Sequence, residues 1–186
     1  MKDRSGTGKI TLDDQYFMGL ALEQARHAYD NGEFPVGCVI VQDNQVIATG
    51  KRKGTTEDLP FFSEISHAEI RALRALESMD SSFKPSEATL YSTMEPCLMC
   101  FGAIILSGIK KVVYAYEDPM GGGTGCDLSR LPMLYKKSEI EVVSGILRQK
   151  SLDLFYKFFN KENNLYWKDS YLEKYTREQK QAGESV

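Results

Sequence analysis

The sequence predicts an α/β fold in which helices cover both faces of a mixed β-sheet. Three observations lead to this prediction. Two short apolar runs joined by the turn pair Asp43-Asn44 predict a β-hairpin. Strand patterns then alternate with helical patterns along the rest of the chain. The length of 186 residues, 42% of them hydrophobic, fits one domain with a continuous core.

The N-terminal elements follow from local patterns. The stretch "TLDD" at residues 11–14 has the form of a capping box, and apolar residues recur at helical spacing from Phe17 to Tyr29. Gly32 is a residue typical of the position after a helix. The two hairpin strands are predicted at residues 36–42 and 45–50.

The later elements alternate between helix and strand. We predict helices at residues 67–76, 96–106 and 151–160, strands at residues 88–93, 110–116 and 139–145, and a short helix or turn within residues 127–135. We divide the chain into a domain of residues 1–160 and an aromatic, charged tail of residues 161–186.

Composition and charge limit the function classes. The formal net charge of −3 argues against strong nonspecific binding to nucleic acid. The N-terminal residues do not resemble a signal peptide, and the apolar stretch at residues 97–109 is too short to span a bilayer. We therefore expect a cytoplasmic protein without membrane contact. In that reducing compartment a close cysteine pair indicates metal binding or redox chemistry before a disulfide.

Two predicted helix starts carry residues with metal chemistry. "HAE" at residues 67–69 opens one helix, and "PCLMC" at residues 96–100 opens the next. Cys97 and Cys100 are three residues apart in a first turn, so their side chains point the same way and the helix macrodipole favours their thiolates. His67, one of two histidines, is the candidate third ligand. Three protein ligands with an open fourth position are the arrangement of a catalytic zinc site.

Glu69 lies two residues after His67 and is the candidate proton carrier. Zinc lowers the pKa of a bound water from about 15.7 to about 7. A neighbouring carboxylate that does not bind the metal can accept the proton of this water and pass it to a leaving group. This pair suits the hydrolytic removal of an amino group from an amidine-like carbon, with release of ammonia.

The cysteines and histidines also have structural interpretations. Cys97 and Cys100 by themselves could be small buried hydrophobes on an apolar helix, an interpretation that the "HAE" motif disfavours. We interpret Cys38 as a core residue, Cys126 as a thiol without a role, and His27 as a surface residue of the first helix.

Four motifs in order resemble one protein family. They are "GEFPVGCVIV", "HAEIRAL", "TLYSTMEPCLMCFGAII" and "KKVVYAYED". Over roughly residues 13–159 the chain resembles the zinc-dependent cytidine/deoxycytidylate deaminase superfamily, whose signature is H-x-E followed by P-C-x-x-C. Within that superfamily it is most similar to the branch that contains tRNA-specific adenosine deaminase, guanine deaminase and cytosine deaminase.

This resemblance carries expectations for the fold and the site. It implies a three-layer α-β-α cytidine-deaminase-like fold with a mixed five-stranded sheet, so that residues 1–160 form a deaminase domain. It implies one catalytic Zn²⁺ per chain, held by His67, Cys97 and Cys100, with Glu69 as the proton carrier. Backbone groups of residues 35–38 would lie near the reacting base. The resemblance also implies a homodimer.

Arg52 is where the sequence departs from the tRNA deaminases of this branch. Those enzymes resemble this chain but have an asparagine here that hydrogen-bonds the base, whereas an arginine offers donors only. An arginine suits a carbonyl, a phosphate or a carboxylate. The loop that follows, up to Ser66, is longer than in those enzymes and offers Phe61 and Phe62 as pocket residues.

Six residues are the candidate substrate contacts, namely Phe34, Pro35, Arg52, Glu95, Phe155 and Phe159. Glu95 has an alternative role in ordering the turn before the third helix. The aromatic tail, which contains the sole tryptophan, Trp167, has three interpretations. It packs on the domain or across a dimer, it stacks on RNA bases, or it closes over the pocket, and we favour packing.

The sequence thus predicts a zinc-dependent hydrolase that removes the exocyclic amine of a nucleobase presented as a free base, a nucleoside or a nucleotide. The main alternative is a tRNA-specific adenosine deaminase acting at the wobble position, which the resemblance supports but Arg52 and the mild acidity do not. A remote alternative is an inactive, zinc-stabilised binding module, which the intact Glu69 disfavours.

Overall fold

A computed structural model describes residues 12–56, 62–77, 83–162 and 164–184. The helices are α1 Leu12–Asp30, α2 Ala68–Leu76, α3 Leu98–Ser107, α4 Met133–Lys136, α5 Arg148–Phe159 and α6 Tyr171–Glu184. The strands are β1 Gly37–Gln42, β2 Gln45–Lys51, β3 Thr89–Met94, β4 Lys111–Tyr116 and β5 Glu141–Val143.

The five strands form one mixed sheet in the order β2-β1-β3-β4-β5. The strand β1 pairs antiparallel with β2 and with β3, whereas β3, β4 and β5 run parallel. Asp43 and Asn44 both have positive φ angles, of 52° and 59°, which is the backbone of a two-residue hairpin turn whose twist matches that of the strands. The predicted hairpin and mixed sheet are confirmed.

Two hydrophobic clusters lie on opposite faces of this sheet, because successive strand residues alternate between faces. Val39 and Val41 of β1 pack with Phe17 and Ala21 of α1. The opposite cluster contains Ile40 of β1 together with buried side chains of α2, α3, α5 and α6. The architecture is therefore the predicted three-layer α/β fold.

The C-terminal tail contains a helix that the sequence analysis did not predict. Residues 171–184 form α6, and its Leu172 is 2% exposed within the cluster that also contains Phe155 of α5. A start signal was present in "SYLE" at residues 170–173, which has the [ST]-x-x-E form of a capping box. The hydroxyl of Ser170 accepts a hydrogen bond from the backbone N–H of Glu173 at 3.2 Å.

Element boundaries differ from the prediction by two residues or more in three elements. The fifth strand is only three residues long, α5 begins at Arg148 instead of Ser151, and α3 begins after Cys97 instead of at Pro96. Thr11 of the predicted capping box and Phe61 of the long loop lie outside the described residues.

In the described part of the chain, no helix combines the length and the apolar character that crossing a bilayer requires.

Candidate active site

The metal-ligand candidates lie at two helix starts beside the sheet. His67 immediately precedes α2, and Cys97 immediately precedes α3. Gly50 of β2 faces the start of α2, where an added Cβ would lie 1.9 Å from the carbonyl oxygen of Ala68. Only a glycine allows the strand and the helix to approach so closely, and this approach sets the position of His67.

His67, Cys97 and Cys100 form one cluster. Nδ1 of His67 lies 3.6 Å from Sγ of Cys97 and 3.4 Å from Sγ of Cys100, and the three ligand atoms lie within 4.8 Å of one another. A tetrahedral zinc ion, with bonds of about 2.3 Å to sulfur and about 2.05 Å to nitrogen, separates such atoms by about 3.6 Å. The donor set and its spacing therefore fit zinc.

The two thiols differ in their readiness to ionise. A hydrogen bond from Cys100 lowers the pKa of Cys97 to about 4, with burial opposing the shift and His67 contributing to it. The pKa of Cys100 is raised, because it donates that hydrogen bond and is buried near Glu69. Burial lowers the pKa of His67, but its hydrogen bond with Cys97 and the charge of Glu69 raise it overall. The contact between the two thiols therefore favours the loss of one proton from the pair, and binding of a cation by both sulfurs requires the loss of the second.

Glu69 is buried beside this cluster, with 3% of its surface exposed. The hydroxyl of Ser92 on β3 donates a hydrogen bond of 2.8 Å to Oε1, and Sγ of Cys100 lies 3.5 Å from Oε2. These contacts hold the carboxylate next to the metal-ligand candidates. They place it where it could exchange protons with a water on the open side of the cluster.

A cavity of about 90 Å³, which we call the site cavity, lies beside the cluster. It is lined by His67, Glu69 and Cys97 and by Phe34, Val36, Arg52, Glu64, Ala68, Met94, Glu95, Asp118, Met120, Tyr166, Trp167 and Leu172. This volume is well below the about 300–1,000 Å³ of sites for drug-sized ligands. The site cavity therefore suits a small ligand or one small part of a larger one.

Comparison with known proteins identifies the family. Residues 11–116 match the family model of the cytidine and deoxycytidylate deaminase zinc-binding region. The chain belongs to this deaminase family. The tRNA-specific adenosine deaminase of Bacillus subtilis (strain 168) is 34% identical to this deaminase over 146 residues, which cover 78% of this chain and 88% of the relative.

Solved structures support the same assignment. One comes from a study of A-to-I editing by tRNA:A34 deaminases at the wobble position. It matches this deaminase with a TM-score of 0.62 at 34% identity, over 75% of this chain and 98% of the other. A second, of a protein in complex with 2,6-diaminopurine, matches with a TM-score of 0.63 at 26% identity, over 84% of this chain and 86% of the other.

Family membership and geometry together define the enzyme class. The chain is a zinc-dependent deaminase, an enzyme that hydrolyses the bond between an exocyclic amine and the ring of a nucleobase or nucleoside. The predictions of the superfamily, the reaction class and zinc are confirmed.

Phe34, Arg52 and Glu95 are the predicted substrate contacts that line the site cavity of this deaminase. Phe155 and Phe159 are buried in the core, where their ring centroids lie 5.1 Å and 6.2 Å from that of Phe34.

Pro35 is buried beside Phe34, but it is not one of the described residues that line the site cavity. Among the described residues, Phe155 and Phe159 do not line the site cavity either. The structure therefore brings three of the six candidates together at the cavity.

Glu95 has contacts of the kind that order a turn. Its Oε1 accepts a hydrogen bond of 2.6 Å from the hydroxyl of Thr124, and its Oε2 accepts one of 3.1 Å from the backbone N–H of Asp118. These contacts connect the end of β3 to the loop after β4. Glu95 therefore shapes the wall of the site cavity and has the structural role that the sequence left open.

Arg52 is 3% exposed and contacts two residues distant in sequence. Its Nη2 donates hydrogen bonds to Oε2 of Glu64 at 3.1 Å and to the hydroxyl of Tyr166 at 3.2 Å. The hydroxyl of Tyr166 in turn donates a hydrogen bond of 3.0 Å to the same Glu64 oxygen. This group, the Arg52–Glu64–Tyr166 triad, joins the hairpin, the long loop and the tail.

The sequence analysis missed several residues of the site cavity. Glu64, Asp118, Tyr166 and Leu172 line it, and none of them was a candidate substrate contact. Asp118 lies at the end of the recognised motif "KKVVYAYED", which was a usable signal. Tyr166 and Leu172 reach the cavity only through the fold of the tail, for which the sequence offered no distance information.

Proposed function

We propose that this deaminase acts on an amino-substituted nucleobase presented as a free base, a nucleoside or a nucleotide. The observation that carries the proposal is the position of the tail. Tyr166, Trp167 and Leu172 line the site cavity from the C-terminal segment, and the ring of Tyr166 lies 5.3 Å from that of Phe34. This side of a small cavity is occupied by protein, which favours a small substrate over a base held within a folded RNA loop.

Zinc, when bound by His67, Cys97 and Cys100, would lower the pKa of water to about 7 and stabilise developing negative charge. Glu69 would accept the proton of the attacking water as its oxygen bonds to the ring carbon that bears the amine. Glu69 would then donate that proton to the adjacent ring nitrogen. Glu69 would then carry the proton of the newly added hydroxyl group to the amine, which would leave as ammonia as the C–N bond breaks and the carbonyl forms.

Two contacts support this role for Glu69. Ser92 fixes one carboxylate oxygen, so the other oxygen is directed toward the cluster and Cys100. The site cavity also reaches both Glu69 and His67, so one bound ring would lie near both. Glu69 is therefore our catalytic residue, and the other three are our metal ligands.

A tRNA-specific adenosine deaminase is the second candidate. Its support is the relative of that name from Bacillus subtilis, at 34% identity over 78% of this chain. Recognition of a base in an anticodon loop requires contacts to flanking nucleotides, which proteins make with basic and aromatic surface groups. In this chain Arg52 is instead paired with Glu64.

One assay separates the two candidates. Purified zinc-loaded enzyme is incubated with free bases, nucleosides, nucleotides and a tRNA anticodon stem-loop, and ammonia release is measured for each. We expect turnover of members of the small-molecule panel. Turnover confined to the stem-loop would contradict our proposal and support the second candidate.

We also propose that the enzyme is a cytoplasmic homodimer. Apolar side chains of α3 and α4 are exposed, at 61% for Leu98, 60% for Leu106 and 63% for Met133, and such patches often mark interfaces between chains. Sedimentation of the wild type and of Leu106→Glu tests the dimer. We expect the mass of two chains only in the wild type.

The cytoplasmic location is supported by the metal site, because a site built on thiols suits a reducing compartment. Cell fractionation tests the compartment.

A further inference from the structure

Glu33 is a buried carboxylate between α1 and β1, with 5% of its surface exposed. Its Oε1 accepts a hydrogen bond of 2.9 Å from the backbone N–H of Gly54. Its Oε2 accepts two from Thr55, one of 2.7 Å from the backbone N–H and one of 2.6 Å from the hydroxyl. Three uncharged donors therefore meet one carboxylate, and Glu33 is not among the described residues that line the site cavity.

These three donors require a carboxylate and not only a side chain of that size. An ionised carboxylate has acceptor sites on both oxygens, whereas a side-chain amide has one oxygen and a donor group. An amide at this position would turn its donor group toward a donor of Gly54 or Thr55 and leave that donor without an acceptor. Hydrogen bonds to a charged group are also stronger than those to a neutral one. The carboxylate therefore holds these two residues more firmly than a neutral side chain would.

One branch of these contacts leads to Phe34 in the wall of the site cavity. The hydroxyl of Thr55 donates to Glu33 and accepts a hydrogen bond of 2.8 Å from the backbone N–H of Phe34. That N–H is in a buried contact, so the loss of the hydroxyl would be costly. Glu33 and Thr55 together fix the backbone that carries the Phe34 ring.

A second branch leads to Glu64 on the same wall. The carbonyl oxygen of Gly54 accepts a hydrogen bond of 2.9 Å from the N–H of Ser63, and the hydroxyl of Ser63 accepts one of 3.1 Å from the N–H of Ser66. Gly54 has a φ angle of 89°, and an added Cβ there would lie 2.8 Å from Cβ of Ser63. Only a glycine allows this approach. The contacts of Glu33 with Gly54 therefore extend to the turn that carries Glu64.

We propose that Glu33 is a positioning residue of this deaminase, whose carboxylate holds both of these wall segments in place beside the metal-ligand cluster. It acts on substrate binding more than on the chemical step. The contacts of Glu69 come from Ser92 and Cys100 on other elements, and the approach of β2 and α2 at Gly50 places His67. The inference goes beyond the proposed function, since it does not depend on which nucleobase compound is the substrate.

Steady-state kinetics of zinc-loaded variants test this role. Glu33→Gln keeps the size of the side chain but removes its charge. Thr55→Val keeps the shape but removes the hydroxyl, whereas Thr55→Ser keeps the hydroxyl. Glu23→Gln, which changes an exposed carboxylate of α1, is the matched control. The substrate is the member of the panel of bases, nucleosides, nucleotides and stem-loop that the wild type turns over fastest.

We expect Glu33→Gln and Thr55→Val each to raise KM by about tenfold, the effect of one lost hydrogen bond to a charged group. The values of kcat and zinc content should stay within about twofold of the wild type, because the variants weaken substrate binding and not the chemical step. Thr55→Ser and Glu23→Gln should keep the wild-type KM. The double variant should raise KM by less than the product of the single effects, since both changes break the same set of contacts.

Amide hydrogen exchange gives a second readout that needs no activity. Exchange at the N–H of Gly54 or Thr55 should become about tenfold faster in Glu33→Gln, because the lost acceptor allows local opening. Exchange at the N–H of Phe34 should become faster in Thr55→Val for the same reason. Exchange in β3 should keep the wild-type rate, since the three hydrogen bonds of Glu33 do not reach that strand.

Wild-type KM in both Glu33→Gln and Thr55→Val would overturn the inference. A fall of kcat in proportion to zinc content at unchanged KM would also overturn it, because a smaller folded fraction gives that result. If Glu33→Gln does not fold, the two Thr55 variants decide the question, and equal KM values for them would contradict the inference. Turnover confined to the stem-loop would contradict the proposed function alone, because KM is then measured with the stem-loop.

Discussion

Nη2 of Arg52 lies 3.2 Å from the hydroxyl of Tyr166, although 114 positions of the chain separate the two residues. The ring of Tyr166 packs against Phe34, with the ring centroids 5.3 Å apart. The contact therefore attaches the C-terminal segment to the hairpin beside the metal-ligand candidates. The end of the chain thus forms part of the wall of the site cavity.

The metal ligands lead to the first prediction. Substituting His67→Ala, Cys97→Ser or Cys100→Ser should reduce bound zinc from about one ion per chain to almost none, because each change leaves only two protein ligands. Metal analysis of the purified protein measures this. Cys126→Ser is the matched control, since Cys126 is an exposed free thiol outside the cluster. Full zinc content in any of the three ligand variants would contradict the assignment.

Removing the metal should give a parallel result. A chelator is expected to abolish ammonia release and to lower the melting temperature, because the bound ion stabilises only the folded state. Added Zn²⁺ should restore both. An enzyme that stayed fully active after complete metal removal would rule out zinc as its cofactor.

Glu69 leads to the second prediction. Glu69→Gln keeps the shape of the side chain but removes the proton acceptor, so kcat should fall by about 10²- to 10⁴-fold. The zinc content should stay at the wild-type level, because Glu69 is not among the ligands. Ser92→Ala, which removes only the 2.8 Å hydrogen bond to Glu69, should cause a much smaller loss. Unchanged kcat in Glu69→Gln would disprove its role as proton carrier.

Gly50 leads to the third prediction. In Gly50→Ala the new methyl group would lie 1.9 Å from the Ala68 carbonyl oxygen and 2.7 Å from the Ala72 nitrogen, both backbone atoms. The free energy of unfolding should fall by about 3 kcal/mol. Zinc affinity should fall as well, because the start of α2 carries His67. Urea unfolding and zinc titration measure the two effects.

A second glycine supplies the control for this substitution. Gly19 lies within α1, and an added Cβ there would meet nothing within 4 Å. Gly19→Ala should therefore raise the free energy of unfolding by about 0.4–1 kcal/mol, since alanine restricts the unfolded chain. Equal effects of the two alanines would contradict the close approach at Gly50.

Glu117 leads to a prediction about pH. Burial raises the pKa of its carboxyl group, but hydrogen bonds from Arg148 and Tyr175 lower it more, so the net pKa lies below the ordinary value of 4.5. The carboxylate therefore stabilises the fold above about pH 4.5, and this stabilisation is lost as the pH falls through the folded-state pKa. Glu117→Gln should destabilise the protein by about 1–2 kcal/mol at pH 7 and by much less near pH 3.

Thermal unfolding of wild type and variant across this pH range measures the effect. Glu87→Gln is the control, because Glu87 pairs with Lys84 at the surface and both side chains are at least half exposed. We expect little change from it at either pH. A loss of stability in Glu117→Gln that increased toward acidic pH would contradict the prediction.

Local patterns were sufficient for the strands, the hairpin and the metal-ligand candidates. Each depends on short local patterns, such as the apolar run of β1 or the two residues between Cys97 and Cys100. The motif order was also sufficient for the family, because it combines several such spacings. The boundaries of α5 and β5 were less accurate, since helix and strand ends depend on packing as well as on propensity.

What the sequence by itself determined was the reaction class, because zinc deamination needs a histidine, a glutamate and two cysteines at fixed local spacings. What only the tertiary structure decided was the wall of the site cavity. Whether Arg52 pairs with Glu64 and Tyr166 depends on contacts between distant segments. Such contacts arise from the packing of the tail on the core, and no local pattern encodes their distances.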